Sequence, residues 1–308
     1  MSIATKIKTG SIWTPKKDNS EVFYAPLWRP DMVAKGGYIK NGTGALTAAN
    51  PINLAVGANT IDVATAGTFI VGMPEGGTVA TGTMTVTNSV VTIPAGVATS
   101  IATTGAVGNI TVTSSNIIKS KDKSNLAMTV TGATWGYQGR SFDGTDDKIV
   151  IPNNAVIDIS GVVTVEVWVK LSSSLAANAD IVSKINTTTY LGCYMIVWNN
   201  DTSQWSFFTG NANSWDNAGL VSGSKGVWAY ITGVYNGTNT KIYLNGVFGA
   251  NAVASHTPVA DGRDLYLGER ETGTSDLNGV IGEARIYNRA LTAGEIQQNY
   301  LVTKWRYV

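Results

Sequence analysis

The sequence holds a single cysteine, Cys193, and a single histidine, His256, in 308 residues. One cysteine excludes an internal disulfide and a multi-cysteine zinc site, and one histidine excludes a histidine-rich metal centre. Cys193 falls within an apolar strand pattern, where a thiol acts as a small buried hydrophobe rather than a nucleophile. Charge is also scarce: 14% of residues are charged and the formal net charge is +1, against about 25% charged in ordinary globular chains. Beyond Lys119, Lys121 and Lys123 there is no basic stripe, so nucleic acid is not an expected partner. No apolar run nears the ~18 residues of a membrane span, so no membrane insertion is expected. The opening residues, Met1–Gly10, lack the apolar core of a signal peptide. Synthesis in the cytoplasm and exit by another route are therefore expected. From Asn41 to Ser115 there is no Trp, Tyr, Lys or Arg at all.

What is abundant points to β structure. Hydrophobic residues make up 44%, there are nine Trp and 34 Gly, and Thr, Ser and Asn crowd the gaps between apolar runs. Such a chain can bury a sizeable core of short strands joined by tight turns. In the Thr/Val/Gly-rich stretch, the pattern predicts strands at Thr83–Thr87, Val90–Ile93 and Ile110–Thr113. A small sandwich or barrel fits that spacing, with a disordered linker as the alternative. After Ile117 it predicts strands at Ala127–Val130, Lys148–Ile151, Val163–Leu171, Leu191–Trp198, Ser206–Phe208, Val227–Tyr235, Thr240–Leu244 and Leu265–Leu267. Val280–Tyr287 reads as a strand that runs through a polar turn into a helix, Thr292–Tyr300. Asn236-Gly237 and Asn245-Gly246 accept positive φ and suit hairpin turns.

Several segments, in order, resemble the laminin-G-like (concanavalin A-like) jelly roll of secreted and virion proteins. They are Thr129–Trp135, Phe142-Asp143-Gly144-Thr145-Asp146-Asp147, the Trp-bearing strand Val165–Lys170, Gly226–Tyr235, Lys241–Gly246 and Gly279–Thr292. Phe23-Tyr24-Ala25-Pro26-Leu27 resembles the family's first strand. The resemblance implies an all-β fold: a laminin-G-like antiparallel β-sandwich (jelly roll) with a short C-terminal helix. It also implies a division into an N-terminal arm (1–19), a discontinuous jelly roll (20–40 plus 116–303) and an inserted small β domain (41–115). Two domains in tandem are the plainer alternative.

Chemistry is harder to find. Glycoside hydrolysis needs paired carboxylates, and Glu166 stands alone among Val, Thr and Trp. His256 lies in a loop-like stretch with no nucleophile elbow, so no catalytic residue is expected. The resemblance implies a structural calcium site, with Asp143 and Asp146 at the Phe-Asp-Gly turn and Glu283 in the final strand. Gly282 stands where an acid is customary, and the aspartates could instead bond amides of their own turn. For sugar binding, period-two alternation puts Tyr190, Tyr194, Ile196 and Trp198 on one strand face, with Leu191, Cys193, Met195 and Val197 as core. Tyr190, Tyr194 and Trp198, with Trp205 and with Trp215 in a polar loop (Gly210–Asn217), are the sugar-contact candidates. Trp168 and Trp228 match the family's packed positions.

The expected role is non-enzymatic: a virion structural protein of a tailed phage, as a decoration, fibre or spike subunit. Its partners would be other virion proteins, host-surface glycans and further copies of itself. A free-standing carbohydrate-binding module of a glycan-degrading system is the alternative.

Overall fold

The computed structural model describes residues 19–29, 32, 38–43, 52–53, 57–63, 67–72, 79–86, 90–92, 98–103, 108–114, 117–185, 192–211, 214–249, 253–254 and 257–308. The chain divides into two compact units. One comprises Met1–Met32 with Lys119–Val308, the other Val33–Ile118.

The larger unit is an antiparallel sandwich. Its first sheet has nine strands, in the order Thr134–Gly136, Gly139–Asp143, Asn278–Tyr287, Val163–Leu171, Trp228–Tyr235, Asn239–Leu244 and Val247–Phe248. Glu21–Ala25 also pairs with Asn278–Tyr287, and Val253–Ala254 with Asn239–Leu244. The second sheet includes Ala127–Thr131, Lys148–Ile151, Leu265–Leu267, Ala179–Ile185, Gly192–Asn199, Gln204–Asn211 and Ser214–Ser222, in that spatial order.

Alternation sets the faces of the first sheet. On Val163–Leu171 the odd residues Val163, Val165, Val167, Val169 and Leu171 are buried toward the second sheet, as are Ile281, Ala284 and Ile286 on the neighbouring strand. Two glycines let the layers close. A Cβ on Gly233, opposite Val165, would fall inside the Phe207 ring of the second sheet, and one on Gly268 inside Phe142. Buried area of this kind contributes about 25 cal/mol per Å² of apolar surface.

The even residues Thr164, Glu166 and Trp168 face outward, yet all are fully buried. Their cover is the C-terminal helix, Ala293–Thr303, and the 3-10 turn Lys304–Arg306. Thr292 starts the helix as its N-cap in a capping box with Glu295. Leu291 and Ile296 pack on Val234, Tyr243 and Tyr287, while Tyr300 and Tyr307 pack on Trp168 and Tyr230.

The described residues of the smaller unit are strands. A five-stranded sheet runs Ile52–Asn53, Tyr38–Thr43, Gly67–Gly72, Ala98–Thr103, Val79–Val86, with its last pair parallel. A three-stranded sheet runs Gly57–Val63, Gly108–Ser114, Val90–Thr92, again with its last pair parallel.

Among the departures from the sequence expectation are two segments of the second sheet. Ala179–Ile185 is a fully buried strand that the pattern did not predict. Its charges are neutralised inside: Arg270 grips Asp180 at 2.6 and 2.8 Å, and Lys184 pairs with Asp158 at 3.2 Å. Gly210–Asn217, expected as a loop, carries the end of one strand and the start of another, joined in register as Gly210↔Trp215 and Asn211↔Ser214.

Candidate functional site

The sugar-contact candidates among the described residues do not assemble into a site. Tyr194, Trp198 and Trp205 are 0%, 0% and 1% exposed. Trp198 and Trp205 meet edge to face at 4.9 Å, and Tyr194 donates its hydroxyl to the Ile157 carbonyl at 3.0 Å. A ring with no open face offers nothing for a sugar to stack on, so these three are core. The physical reason is area: aromatic rings carry the largest apolar surface, and it outweighs the indole N–H groups of Trp198 and Trp205, which are left without acceptors. The second face of the Gly192–Asn199 strand is apolar too, and Met195 and Val197 pack there with Ile185 and Phe208. Tyr190 and His256 lie outside the described residues, as do the side chains of Cys193 and Trp215.

The calcium candidates separate into two places. Carboxylate oxygens of Asp143, Asp146 and Asp147 lie within 4.8 Å of one another. Calcium takes six to eight oxygens at about 2.3–2.6 Å, so these three fit a single hard cation. The turn also satisfies itself: Asp147 accepts from the Asp143 amide at 2.8 Å and Asp143 from the Thr145 amide at 2.9 Å. Burial, with the charges of Asp143 and Asp146, raises the Asp147 carboxyl above its ordinary range, although its bond from the Asp143 amide opposes this. Glu283 does not join them. Asp143 stands opposite Asn278, five residues along the strand from Glu283, a separation of roughly 17 Å.

Glu283 belongs instead to the buried network beneath the C-terminal helix. Arg285 donates to Glu21 at 2.9 Å and to Glu283 at 3.4 Å, and its guanidinium lies 3.8 Å from the Tyr24 ring centroid. Trp28 donates to Glu283 at 3.2 Å. Further along, Asn299 donates to Glu166 at 3.0 Å and Trp168 to Thr303 at 2.8 Å. Burial pushes the Glu166 carboxyl up to about 7, partly offset by the Tyr230 hydroxyl, the Arg285 charge and the Asn299 amide.

Beyond the edge of that cover the same sheet face is open. A cleft of about 400 Å³ is lined by Tyr137, Gln138, Ser141, Lys170, Trp228 and Asn278, among others, a volume within the range of ligand sites. Its floor is one cross-strand row: Ser141 pairs with Val280, Val280 with Lys170, and Lys170 with Trp228. Three strand spacings give that row a span of roughly 14 Å.

One wall is Trp228, half-buried and 4.6 Å from the Tyr307 ring. It also borders a second notch of about 260 Å³ beside Ser222, Ser224, Val227 and Asn245. The opposite wall is the tip of the Thr134–Gly136/Gly139–Asp143 hairpin, where Tyr137 is 79% exposed. Gly139, at φ +150°, has no room for a Cβ against the Ile281 carbonyl, so a glycine is required for this hairpin to lie on its neighbour. Trp135 donates to the Arg29 carbonyl at 3.1 Å and Gln138 to that of Arg306 at 3.4 Å, which fixes the tip from both sides. The sequence reading passed over Tyr137, Ser141 and Lys170, which meet only through strand register.

With this geometry established, residues 143–297 match the sequence profile of the concanavalin A-like lectin/glucanases superfamily (laminin G type). The chain belongs to that superfamily. No curated protein is similar enough to match. Among solved structures, this superfamily member is similar to the binding domain of botulinum neurotoxin serotype D. Identity is 15% and the TM-score 0.50, over 61% of this chain and 49% of the other. It is likewise similar to the serotype D ligand-binding domain in complex with N-acetylneuraminic acid (15% identity, TM-score 0.51, 61% and 48% covered). A Trypanosoma rangeli sialidase in complex with the inhibitor DANA scores 0.48 at 16% identity, over 60% of this chain and 30% of that one. The chain spans about half the length of the toxin domains it matches, and at such identity the likeness is one of fold.

Proposed function

We propose that the sandwich unit is a non-enzymatic glycan-binding module and that the open cleft is its binding site. One observation carries this reading: an exposed Tyr137 and a half-buried Trp228 line one cleft together with hydroxyl, amide and ammonium groups. Flat rings suit the apolar faces of pyranoses, and the polar groups suit their hydroxyl rims. Superfamily membership supports it, as does a similar fold solved with N-acetylneuraminic acid. No Asp or Glu is among the cleft-lining residues, which supports binding without hydrolysis, since glycosidases place two carboxylates around the scissile bond. The buried Glu166 and Glu283 are committed to Asn299, Trp28 and Arg285.

The test is a glycan array followed by calorimetric titration. Wild type binds a defined set of glycans, and Tyr137→Ala weakens binding about tenfold, about 1.4 kcal/mol, with an unchanged melting temperature because the ring is exposed. If wild type binds no glycan on a broad array, the reading fails.

The proposed setting is the virion of a tailed phage, where the chain is a decoration, fibre or spike subunit contacting other virion proteins or further copies of itself, with host-surface glycans as its target. Low charge, a single cysteine and a second Thr/Val/Gly-rich β unit support a particle component. Mass spectrometry of purified particles finds the chain as a stoichiometric component. Its presence only beside secreted glycan-degrading enzymes favours the second reading, a free-standing carbohydrate-binding module.

A further inference from the structure

We infer that the glycan taken by this cleft is anionic, and that the Lys170 ammonium binds its carboxylate or sulfate group. The inference rests on the glycan-binding reading above and adds the substrate class.

Lys170 stands at the centre of the cleft floor, between Val280 and Trp228 in the cross-strand row, and it is half-buried. Among the described residues it has no carboxylate within ion-pair distance and no hydrogen-bond acceptor. Three other lysines of the unit are engaged by partners within the chain. Lys148 binds both oxygens of Glu269, Lys184 binds Asp158 and Asn153, and Lys225 binds the Leu175 carbonyl and Asn200. An ammonium in an open cleft with no partner in the described chain is available to an incoming anion, and a charge-assisted hydrogen bond to one is among the stronger contacts it can make.

The acids nearest by register are turned elsewhere. Asp143, opposite Asn278, engages the Thr145 amide, and Glu283, beside Trp168, engages Arg285 and Trp28. The remaining polar lining groups (Gln138, Ser141, Ser172 and Asn278) are uncharged. The cleft therefore presents one positive charge ringed by neutral donors and acceptors, between two aromatic walls. A neutral oligosaccharide would leave that charge unanswered. A sugar acid would place its anionic group on the floor and its ring against Tyr137 or Trp228.

The experiment compares lactose, 3′-sialyllactose and 3′-sulfated lactose by calorimetric titration against the full chain, at low and high NaCl. One or both anionic ligands bind about tenfold or more tightly than lactose, as expected for a charge-assisted hydrogen bond, and the preference shrinks with salt. A preference for one anionic ligand alone tells carboxylate from sulfate. Lys170→Met keeps the aliphatic stem and collapses the anionic-to-neutral affinity ratio toward one; Lys170→Arg restores most of it. Equal affinity for all three ligands, or a ratio that survives Lys170→Met, overturns the inference while leaving glycan binding intact. Failure of every saccharide to bind removes both.

Discussion

On the outward face of the nine-stranded sheet, the rows from Tyr287 to Trp168 lie beneath the C-terminal helix, whereas the next row, Ser141–Val280–Lys170–Trp228, lies open. The same strands supply both halves. In the covered half each charged side chain has its counterpart, with Arg285 between Glu21 and Glu283, and Glu166 held by Asn299. In the open half Lys170 has none among the described residues. Covered charges must be answered within the chain, because burial without a partner costs several kcal/mol. An unanswered charge at the floor of a cleft points to a partner from outside. The contrast separates residues kept for the fold from residues available to a ligand, although both look alike in the strand pattern.

Four substitutions would break or sharpen this contrast. The largest effect belongs to Arg285→Met, which leaves Glu21 and Glu283 buried without their cation. A loss of about 3–5 kcal/mol in urea denaturation is expected, and a loss below 1 kcal/mol would contradict the account of the covered half. Asn299→Leu removes the amide that holds Glu166 and should cost about 1–3 kcal/mol.

Glu166 gives a pH signature. Its carboxyl is raised from 4.5 to about 7 in the fold, so the protonated form is the one the fold favours. The stabilisation is full below about pH 4.5 and is lost as pH rises through about 7. Glu166→Gln, which mimics the protonated acid, should flatten the fall in melting temperature between pH 5 and 8 and leave the variant the more stable protein at pH 8. Asp180, raised to about 6 by burial against its bonds to Arg270, should keep a smaller fall at lower pH. An unchanged profile in Glu166→Gln would falsify the assignment.

The smallest effect is expected in the open half. Lys170→Met should shift stability by no more than about 0.5 kcal/mol, in contrast to Arg285→Met, since no protein partner is lost.

Much of the fold could be read before the structure. Lys148–Ile151, Val163–Leu171 and Leu265–Leu267 fall at the expected residues, and Thr292 caps the expected helix, which runs three residues further than anticipated. Alternation or a strong cap marks each. Reading failed where polarity and burial part company. Ala179–Ile185 hides Asp180 and Lys184 by pairing them with residues far along the chain, which no local pattern reveals. On Gly192–Asn199 both faces are apolar, so a period of two could not say which turns inward, and the bulkier face, with Tyr194 and Trp198, took the core. The cleft was beyond local reading for a different reason. Ser141, Lys170, Trp228 and Val280 come from four strands and meet through register alone.

The strand Asn278–Tyr287 bonds to Glu21–Ala25, Gly139–Asp143 and Val163–Leu171 at once. On the ribosome, synthesis runs from the N-terminus, so the earliest of these partners waits for some 250 further residues before it can dock. The sandwich cannot close until residues 278–287 have been made, and long-range pairing of this kind makes for slow folding. A chain stopped before residue 278 would leave those three strands without their shared neighbour, presenting bare backbone edges to whatever nascent chain or chaperone stood closest.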